Sequence, residues 1–112
     1  MDNSGNFIRG AAELLILNLL LDGNDHYGYE LSKLLASLSN GIVIPAGTLY
    51  PTLRRLADRG YIHVEQRIEE KRLRTYYHIL DSGRDYCAAL LKEYNDANQG
   101  IQYVLASCQK EK

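Results

Sequence analysis

The sequence lacks the features that would place the protein in a membrane or outside the cell. Its longest apolar run, residues 14–21, has eight residues and is interrupted by Asn18, whereas a membrane-spanning helix needs about 20 apolar residues. The chain does not open with the charged, apolar and small-residue segments of a secretory signal. We therefore expect a cytoplasmic protein that has no membrane partner.

The sequence also has little of the chemistry that enzymes and metal sites require. Its two cysteines, Cys87 and Cys108, do not form a CxxC pair, which fits a reducing cytoplasm. The histidines His26, His63 and His78 lie at unrelated positions, and no HExxH, GxSxG or glycine-rich phosphate loop occurs. We therefore predict a protein that is not an enzyme and that has no cofactor and no metal site.

The net charge of −1 would ordinarily argue against a nucleic-acid partner, but the charges are unevenly distributed. Residues 1–46 carry a net charge of −3 and residues 81–112 a net charge of −1, whereas residues 47–80 carry seven bases against four acids, a net charge of +3. The position of charge matters more than the total for binding a polyanion. The alternative is that these are ordinary solvated charges on a helix and a hairpin.

Residues 45–62, PAGTLYPTLRRLADRGYI, are predicted to form a helix with one buried and one exposed face. Leu49, Leu53 and Leu56 fall on one stripe at helical spacing. The opposite side carries Gly47, Pro51, Arg54, Arg55 and Asp58. A basic last turn followed by Gly60 is typical of a helix end.

Pro51 leaves two positions open for the start of this helix. If Thr48 is the N-cap, Pro51 is the third helical residue, whose N–H would have no partner in the helix anyway. If the helix begins at Pro45, Pro51 is interior and should bend the helix.

The remaining elements follow from changes in periodicity. Residues 7–22 and 26–37 are predicted to form helices, and the β-branched triplet at residues 42–44 is predicted to form a short edge strand. Residues 61–67 and 75–80 alternate in polarity around a charged tip, which is typical of a β-hairpin. His63 and His78 would then face each other as a surface pair, an interpretation that we favour over metal binding.

This order of elements predicts a mainly α fold with a small β-hairpin, the winged helix-turn-helix. Residues 1–80 would form the winged helix-turn-helix DNA-binding domain. Residues 81–112 would form a long C-terminal dimerisation helix that begins at Ser82, and the two parts would make one compact unit.

The last helix carries apolar residues at alternating spacings of three and four. These are Cys87, Leu90, Tyr94, Ala97, Ile101, Val104 and Cys108. Such a heptad stripe is typical of a helix that packs against a partner helix, and we assign Leu90, Tyr94, Ala97, Ile101 and Val104 to the dimer interface. The alternative is that this helix packs only on its own domain, with Gly100 as a site of bending.

The pattern favours double-stranded DNA as the partner. Seven residues are candidates for DNA contact: Thr48, Tyr50, Arg54 and Arg55 on the third helix, and Lys71, Arg72 and Arg74 in the hairpin. Arginines on an exposed helix face can reach guanine edges or phosphates in the major groove. A basic hairpin suits a wing that lies along the backbone or enters the minor groove.

The motifs resemble those of the PadR-type bacterial transcriptional regulators over about residues 8 to 100. IRGAAELLILNLL is similar to the opening helix of that family, YGYEL to its second helix, and GTLYPTLRRLADRGYI to its recognition helix. RTYYHILDSGRDY is similar to the end of the wing and the start of the last helix. Two features depart from the family pattern: Pro45 stands where a capping serine is common, and the wing sequence EEKRLRT has no glycine.

The resemblance implies a cytoplasmic homodimer, usually a repressor, in which the last helix crosses the first helix of the partner. Some members of that family release DNA when a flat hydrophobic compound binds in a cavity between the first and last helices, which Leu15, Asn18, Tyr94 and Asp96 would line here. The alternative, which we favour for Tyr94, is a residue of the core or of the dimer interface. We therefore expect a repressor that binds a pseudo-palindromic operator. The alternative is a winged-helix protein-interaction module that does not bind specific DNA.

Overall fold

A computed structural model describes the backbone of residues 4–109 and the side chains of residues 11–109. The elements are α1 (Ser4–Leu19), β1 (His26–Tyr27), α2 (Gly28–Leu38), α3 (Ala46–Asp58), β2 (Ile62–Glu69), β3 (Arg72–Ile79) and α4 (Asp81–Gln109). The predicted fold class is confirmed, with a winged helix-turn-helix followed by a long last helix. The outer ends of the two predicted units, residues 1–3 and 110–112, lie outside the described residues.

The core forms around α1, because this helix is apolar on nearly all sides. Ile16 and Leu17 of this helix, and Leu20 just after its end, have fully buried side chains. They pack in one cluster with Leu31 and Leu35 of α2, Leu49, Leu53 and Leu56 of α3, and Cys87 of α4. The buried stripe of α3 is therefore the leucine stripe that the sequence predicts. Among the described residues, no helix is both long enough and apolar enough to cross a membrane.

The three strands form an antiparallel sheet in the order β1-β3-β2. The β2–β3 hairpin closes through Glu70 and Lys71, which have φ values of +51° and +63°. Positive φ at both central residues is the geometry of a type I′ turn, which matches the twist of the strands and usually contains asparagine or glycine. His63 and His78 are partners in the register, so the predicted histidine pair is confirmed.

The predicted edge strand at residues 42–44 is wrong, because this segment has no strand partner. Ile44 is buried while Val43 is exposed. This alternation in burial is typical of a strand, but the segment forms no backbone hydrogen bonds with a neighbouring strand. The third strand is instead His26–Tyr27, whose residues pair with Tyr77 and Tyr76 of β3. The second helix consequently begins at Gly28 and not at residue 26.

The recognition helix α3 begins at Ala46, which decides between the two predicted starts. The backbone N–H groups of Thr48 and Leu49 both donate to the carbonyl oxygen of Pro45 at 2.8 Å, so Pro45 and not Thr48 is the N-cap. Pro51 is therefore an interior residue of the helix. Because proline has no backbone N–H, Pro51 cannot donate the helical hydrogen bond to the carbonyl oxygen of Gly47. Gly47 is exposed, so water can reach this carbonyl.

The helix α4 begins at Asp81, one residue before the predicted start, because Ser82 donates its hydroxyl to the carbonyl oxygen of Gly60 at 2.6 Å. The helix is continuous through Gly100, and every residue from 91 to 109 is exposed. The radius of gyration is 16.4 Å, against about 13 Å for a compact domain of this size. The distal half of α4 therefore projects from the body of the molecule.

Candidate nucleic-acid interface

The exposed face of α3 carries the charge that a groove-binding helix needs. Tyr50, Pro51 and Arg54 are exposed on the side opposite the leucine stripe. Arg54 has no ion pair or side-chain hydrogen bond with any side chain of residues 11–109, so its guanidinium is available to an outside partner. This face is the best-formed candidate for contact with base edges.

Arg55 is held differently from its neighbour. Its Nε lies 3.8 Å from Oε2 of Glu13 in α1, and its Nη2 donates to Oγ1 of Thr52 at 3.2 Å. The Arg55 side chain is about half exposed, so Glu13 limits its freedom without covering it. A DNA phosphate would compete with Glu13 for this guanidinium.

Glu13 also connects the recognition helix to α4. The hydroxyl of Tyr86 in α4 donates to Oε1 of Glu13 at 2.5 Å, and this hydrogen bond raises the pKa of Tyr86 to about 12. The Tyr86 ring is stacked on Tyr61, with 4.2 Å between the ring centroids. Arg59, at the C-cap of α3, lies 4.0 Å from the same carboxylate. The carboxyl end of α3 is thereby tied to both α1 and α4.

Tyr50 and Thr48 lie near the amino end of α3, as predicted. Thr48 is half-buried, and its carbonyl oxygen accepts a hydrogen bond from the Thr52 hydroxyl at 2.6 Å. The ring of Tyr50 lies against Gly28, at the start of α2. A Cβ atom at residue 28 would come within 2.6 Å of Cε1 and 2.8 Å of the hydroxyl oxygen of Tyr50, so glycine is needed for this contact.

The three basic residues predicted to contact DNA from the wing differ in exposure and in their contacts with the protein. Lys71 lies in the turn, and Arg72 is exposed beside it. Arg74 is half-buried, with its guanidinium carbon 4.4 Å from the centroid of the Tyr27 ring. The positive charge of Arg74 therefore lies beside the end of β1, whereas the charges of Lys71 and Arg72 lie at the tip of the wing.

The other side of the wing is fixed to the loop between α1 and β1. Asp25 accepts hydrogen bonds from Arg67, and its Oδ1 lies 2.9 Å from Nδ1 of His78. The hydrogen bond from Arg67, assisted by His78, holds the pKa of Asp25 below its usual range despite the opposing effect of burial. Arg67 also bonds Glu65 of its own strand at 2.5 Å. These contacts set the angle of the wing relative to the body.

His26 forms a second polar cluster at the same junction. Its ring nitrogens lie 2.8 Å from Oδ2 of Asp22 and 2.7 Å from Oε1 of Glu30. Burial disfavours the charged ring, but the hydrogen bonds to Asp22 and Glu30 outweigh it and raise the pKa of His26. Through these contacts His26 connects Asp22, in the loop after α1, to Glu30 of α2.

The residues assigned to the dimer interface fall into two groups. Leu90 is half-buried against the core of its own protomer, and Cys87, one step earlier in the heptad stripe, is fully inside it. Tyr94, Ala97, Ile101 and Val104 are exposed. The first turn of the heptad stripe is thus buried or half-buried in the core, and the rest of the stripe is exposed along the projecting part of α4. The dimer itself stays a prediction.

The four residues predicted to line an effector cavity are not brought together within one protomer. Leu15 and Asn18 line a groove of about 460 Å³ between α1 and α2. Tyr94 lines a different cavity of about 430 Å³, which Glu13, Leu14, Arg55, Leu90 and Glu93 also line. Asp96 bonds Lys92 at 3.0 Å on the exposed surface. Asn18 reaches α4 itself, with its Nδ2 3.4 Å from Sγ of Cys87.

Three residues near the site were missed by the sequence interpretation. Glu13 contacts α3 only through the packing of α1, and no local pattern points to it. Gly28 and Tyr29 belong to the YGYEL motif, but their place beside Tyr50 depends on how α2 crosses α3. A glycine at the first position of a helix was the available signal for a close approach.

Comparisons with known proteins identify a family and several transcriptional regulators that are similar to this chain. The model of the transcriptional regulator PadR-like family matches residues 16–89. The transcriptional regulator Rv3488 of Mycobacterium tuberculosis is 38% identical over 78 residues, which are 70% of each chain. A transcriptional regulator from Clostridium thermocellum is similar in structure, with a TM-score of 0.80 and 36% identity over 87% of this chain and 95% of that one.

One similar structure was determined with DNA bound. It is Bacillus subtilis PadR in complex with operator DNA, with a TM-score of 0.64 and 25% sequence identity. The similarity covers 72% of the present chain and 47% of the Bacillus chain.

Proposed function

Since the chain belongs to the PadR-like family of transcriptional regulators, we propose that it is a cytoplasmic repressor that binds a specific operator as a homodimer. The family resemblance seen in the motifs is confirmed. The observation that carries the proposal is the exposed Arg54, which has no partner among the side chains of residues 11–109, on a helix whose opposite face is buried in the core. An anchored helix with a free cation can enter the major groove without losing internal contacts.

The DNA contacts of this proposal come from α3 and the wing. On α3, Arg54 contacts bases, while Thr48, Tyr50 and Arg55 contact the backbone or flanking base edges. On the wing, Lys71, Arg72 and Arg74 contact phosphates. The operator complex of the Bacillus relative supports DNA as the partner.

The projecting part of α4 supports the homodimer. Its exposed apolar residues include Tyr94, Ile101 and Val104, and a second copy of the protein would cover them. A twofold dimer has two recognition helices and therefore reads a pseudo-palindromic site, with half-sites roughly 34 Å apart.

A hydrophobic effector is the finer part of the proposal. The groove beside Leu15 and Asn18 is lined mainly by leucines, and the cavity beside Tyr94 reaches Arg55 of α3. A compound in the groove would contact α1, which packs against the recognition helix α3. A compound in the cavity would contact α3 itself and α4, the proposed dimerisation helix. Release of DNA by a flat hydrophobic compound is the expected effect.

Fluorescence anisotropy tests the function directly. The purified protein is titrated into a labelled duplex from upstream of its own gene and into an unrelated duplex, at low and at physiological salt. A preference for the upstream duplex that survives salt is expected. Equal binding that disappears with salt would mean phosphate attraction alone, and the repressor proposal would then fail.

A protein-interaction module is the second candidate, and the exposed apolar part of α4 favours it. That surface would engage a different chain instead of a second copy. A protein that sediments as a monomer and ignores both duplexes would support this candidate against the repressor.

A further inference from the structure

A groove of about 290 Å³ separates the wing from the recognition helix. It is lined by Tyr27, Gly28, Tyr29, Tyr50, Leu73, Arg74, Thr75 and Tyr77. Three elements meet here, because α2 begins at Gly28, Tyr50 lies near the start of α3, and β3 forms the far wall. Since β1 ends at Tyr27, the edge of β3 beyond it is not covered by a strand partner within the described residues.

Two tyrosine hydroxyls in this groove are available to a ligand. Tyr29 is 63% exposed and Tyr50 is 47% exposed. Neither hydroxyl forms a hydrogen bond with the protein within residues 11–109. The Tyr50 ring lies against Gly28, at a distance where a Cβ atom on residue 28 would collide with it.

One cation, Arg74, lines the groove, and a second, Lys33, lies beside the ring of one of its tyrosines. The guanidinium of Arg74 is stacked 4.4 Å from the centroid of Tyr27, and the Nζ atom of Lys33 lies 5.3 Å from the centroid of Tyr29. Neither cation has a carboxylate within ion-pairing distance among the described side chains. Hydroxyl donors beside unpaired cations are suited to a phosphate group.

The position of the groove fits the path of a DNA backbone. If α3 lies in the major groove and the wing tip reaches the adjacent minor groove, one sugar-phosphate strand separates the two. That strand must cross the space between α3 and the wing. The tyrosine-lined groove occupies this space.

We propose that this groove is a binding site for one phosphodiester of the DNA backbone in each half-site. The hydroxyls of Tyr29 and Tyr50 donate to the phosphate oxygens, and Arg74 and Lys33 supply positive charge. In this proposal Tyr50 contacts the backbone and does not read a base, since its ring lies against Gly28 and lines the groove. The inference rests on the proposed function, which it refines.

The test is a set of operator duplexes in which single phosphates are replaced, one at a time, by neutral methylphosphonates. With the wild-type protein, one position in each half-site that faces the groove is expected to lower affinity by about tenfold, as for a charged hydrogen bond. With Tyr50→Phe, the unmodified operator is expected to bind about tenfold more weakly. The same methylphosphonate is expected to lower the affinity of this variant by a smaller factor than that of the wild type, because one of the hydrogen bonds to that phosphate is already lost.

Two further variants make the assignment specific. Tyr103→Phe changes an exposed tyrosine on the distal part of α4 and is expected to leave the response to every methylphosphonate as in the wild type. Arg74→Gln is expected to reduce the slope of log affinity against log salt by about one, the loss of one phosphate contact.

The outcomes separate this inference from the proposed function. Selective operator binding by the wild type, with Tyr50→Phe as sensitive as the wild type to every methylphosphonate, would overturn the groove site and leave the repressor intact. A wild-type protein that does not prefer the operator would overturn the repressor and the groove site together.

Discussion

Arg54 and Arg55 are adjacent in sequence but have different surroundings. Arg55 pairs with Glu13 and bonds Thr52, whereas Arg54 has no partner within the described side chains. The helical spacing of α3 assigns both arginines to its outer face and does not distinguish them, because the pairing of Arg55 depends on Glu13 of α1. Adjacent arginines can therefore play different parts in one interface.

Arg54→Ala is expected to cost about 1–3 kcal/mol of operator binding and to relax specificity at one base position. The reason is that its guanidinium is free to form bidentate contacts with a guanine edge. Anisotropy on operators with single base changes measures this effect.

Arg55→Ala serves as the comparison and is expected to weaken all duplexes alike. If Arg54→Ala also weakened all duplexes equally, Arg54 would contact phosphate and would not read a base.

His26 gives the stability of the protein a pH dependence near neutrality. Because the pKa of His26 is raised above 6.5 in the folded protein, its contribution is fully present below that value. This contribution declines as pH rises through the folded-state pKa.

Urea unfolding between pH 5.5 and 8.5 is expected to show this decline in the wild type. His26→Gln should remove the decline over the same interval. A variant that kept the full slope would show that other groups are responsible.

The wing turn is the clearest case of strain in a single element. Glu70 and Lys71 both have positive φ, which costs an ordinary residue about 1 kcal/mol or more. Replacing the pair with Asn-Gly, the usual type I′ sequence, is expected to raise the free energy of unfolding by about 1 kcal/mol.

The gain would be measured by urea unfolding. An Ala-Ala pair at the same positions retains the strain and should give no increase. An Asn-Gly protein no more stable than the Ala-Ala protein would contradict the turn assignment.

The elements were predictable where one periodic pattern extended over many residues. The leucine stripe of α3 and the alternation of β2 and β3 gave their types and most of their bounds. The short elements were not predicted correctly. A two-residue strand such as β1 is too short to show a periodic pattern, and it forms only because it pairs with the edge of β3. The start of α3 stayed open because Pro45 and Thr48 are both acceptable caps, and only tertiary packing selects between them.

The same distinction explains which parts of the candidate site were predictable. Tyr50 and Arg54 follow from the exposed stripe of one helix, so the sequence suffices for them. Glu13 and Tyr29 join the site only through packing of α1 and α2 against other elements. No spacing within the sequence encodes such a contact.

At the scale of the whole molecule, α4 changes its role along its length. Cys87 and Leu90 pack in or against the core of the same chain, whereas every residue from 91 to 109 is exposed. A single heptad stripe therefore serves first an internal and then an external surface. The exposed part is where a partner must pack for the repressor to be dimeric.

Ile101→Asp is expected to convert the dimer to a monomer without unfolding the protein, because residue 101 is about half exposed in the isolated chain. A charge is costly only in the paired helix interface. Analytical ultracentrifugation gives the mass, and the circular dichroism melt reports folding.

Gln102→Asp introduces the same charge beside the stripe and should remain dimeric. Equal masses for the two variants would place the interface elsewhere.

Hydroxyl-radical footprinting of the protein on the duplex from upstream of its own gene tests the central claim most directly. A homodimer with two recognition helices is expected to protect two segments on one face of the DNA, with centres roughly 34 Å apart. A single protected segment, or uniform cleavage at physiological salt, would contradict a dimeric operator-binding repressor.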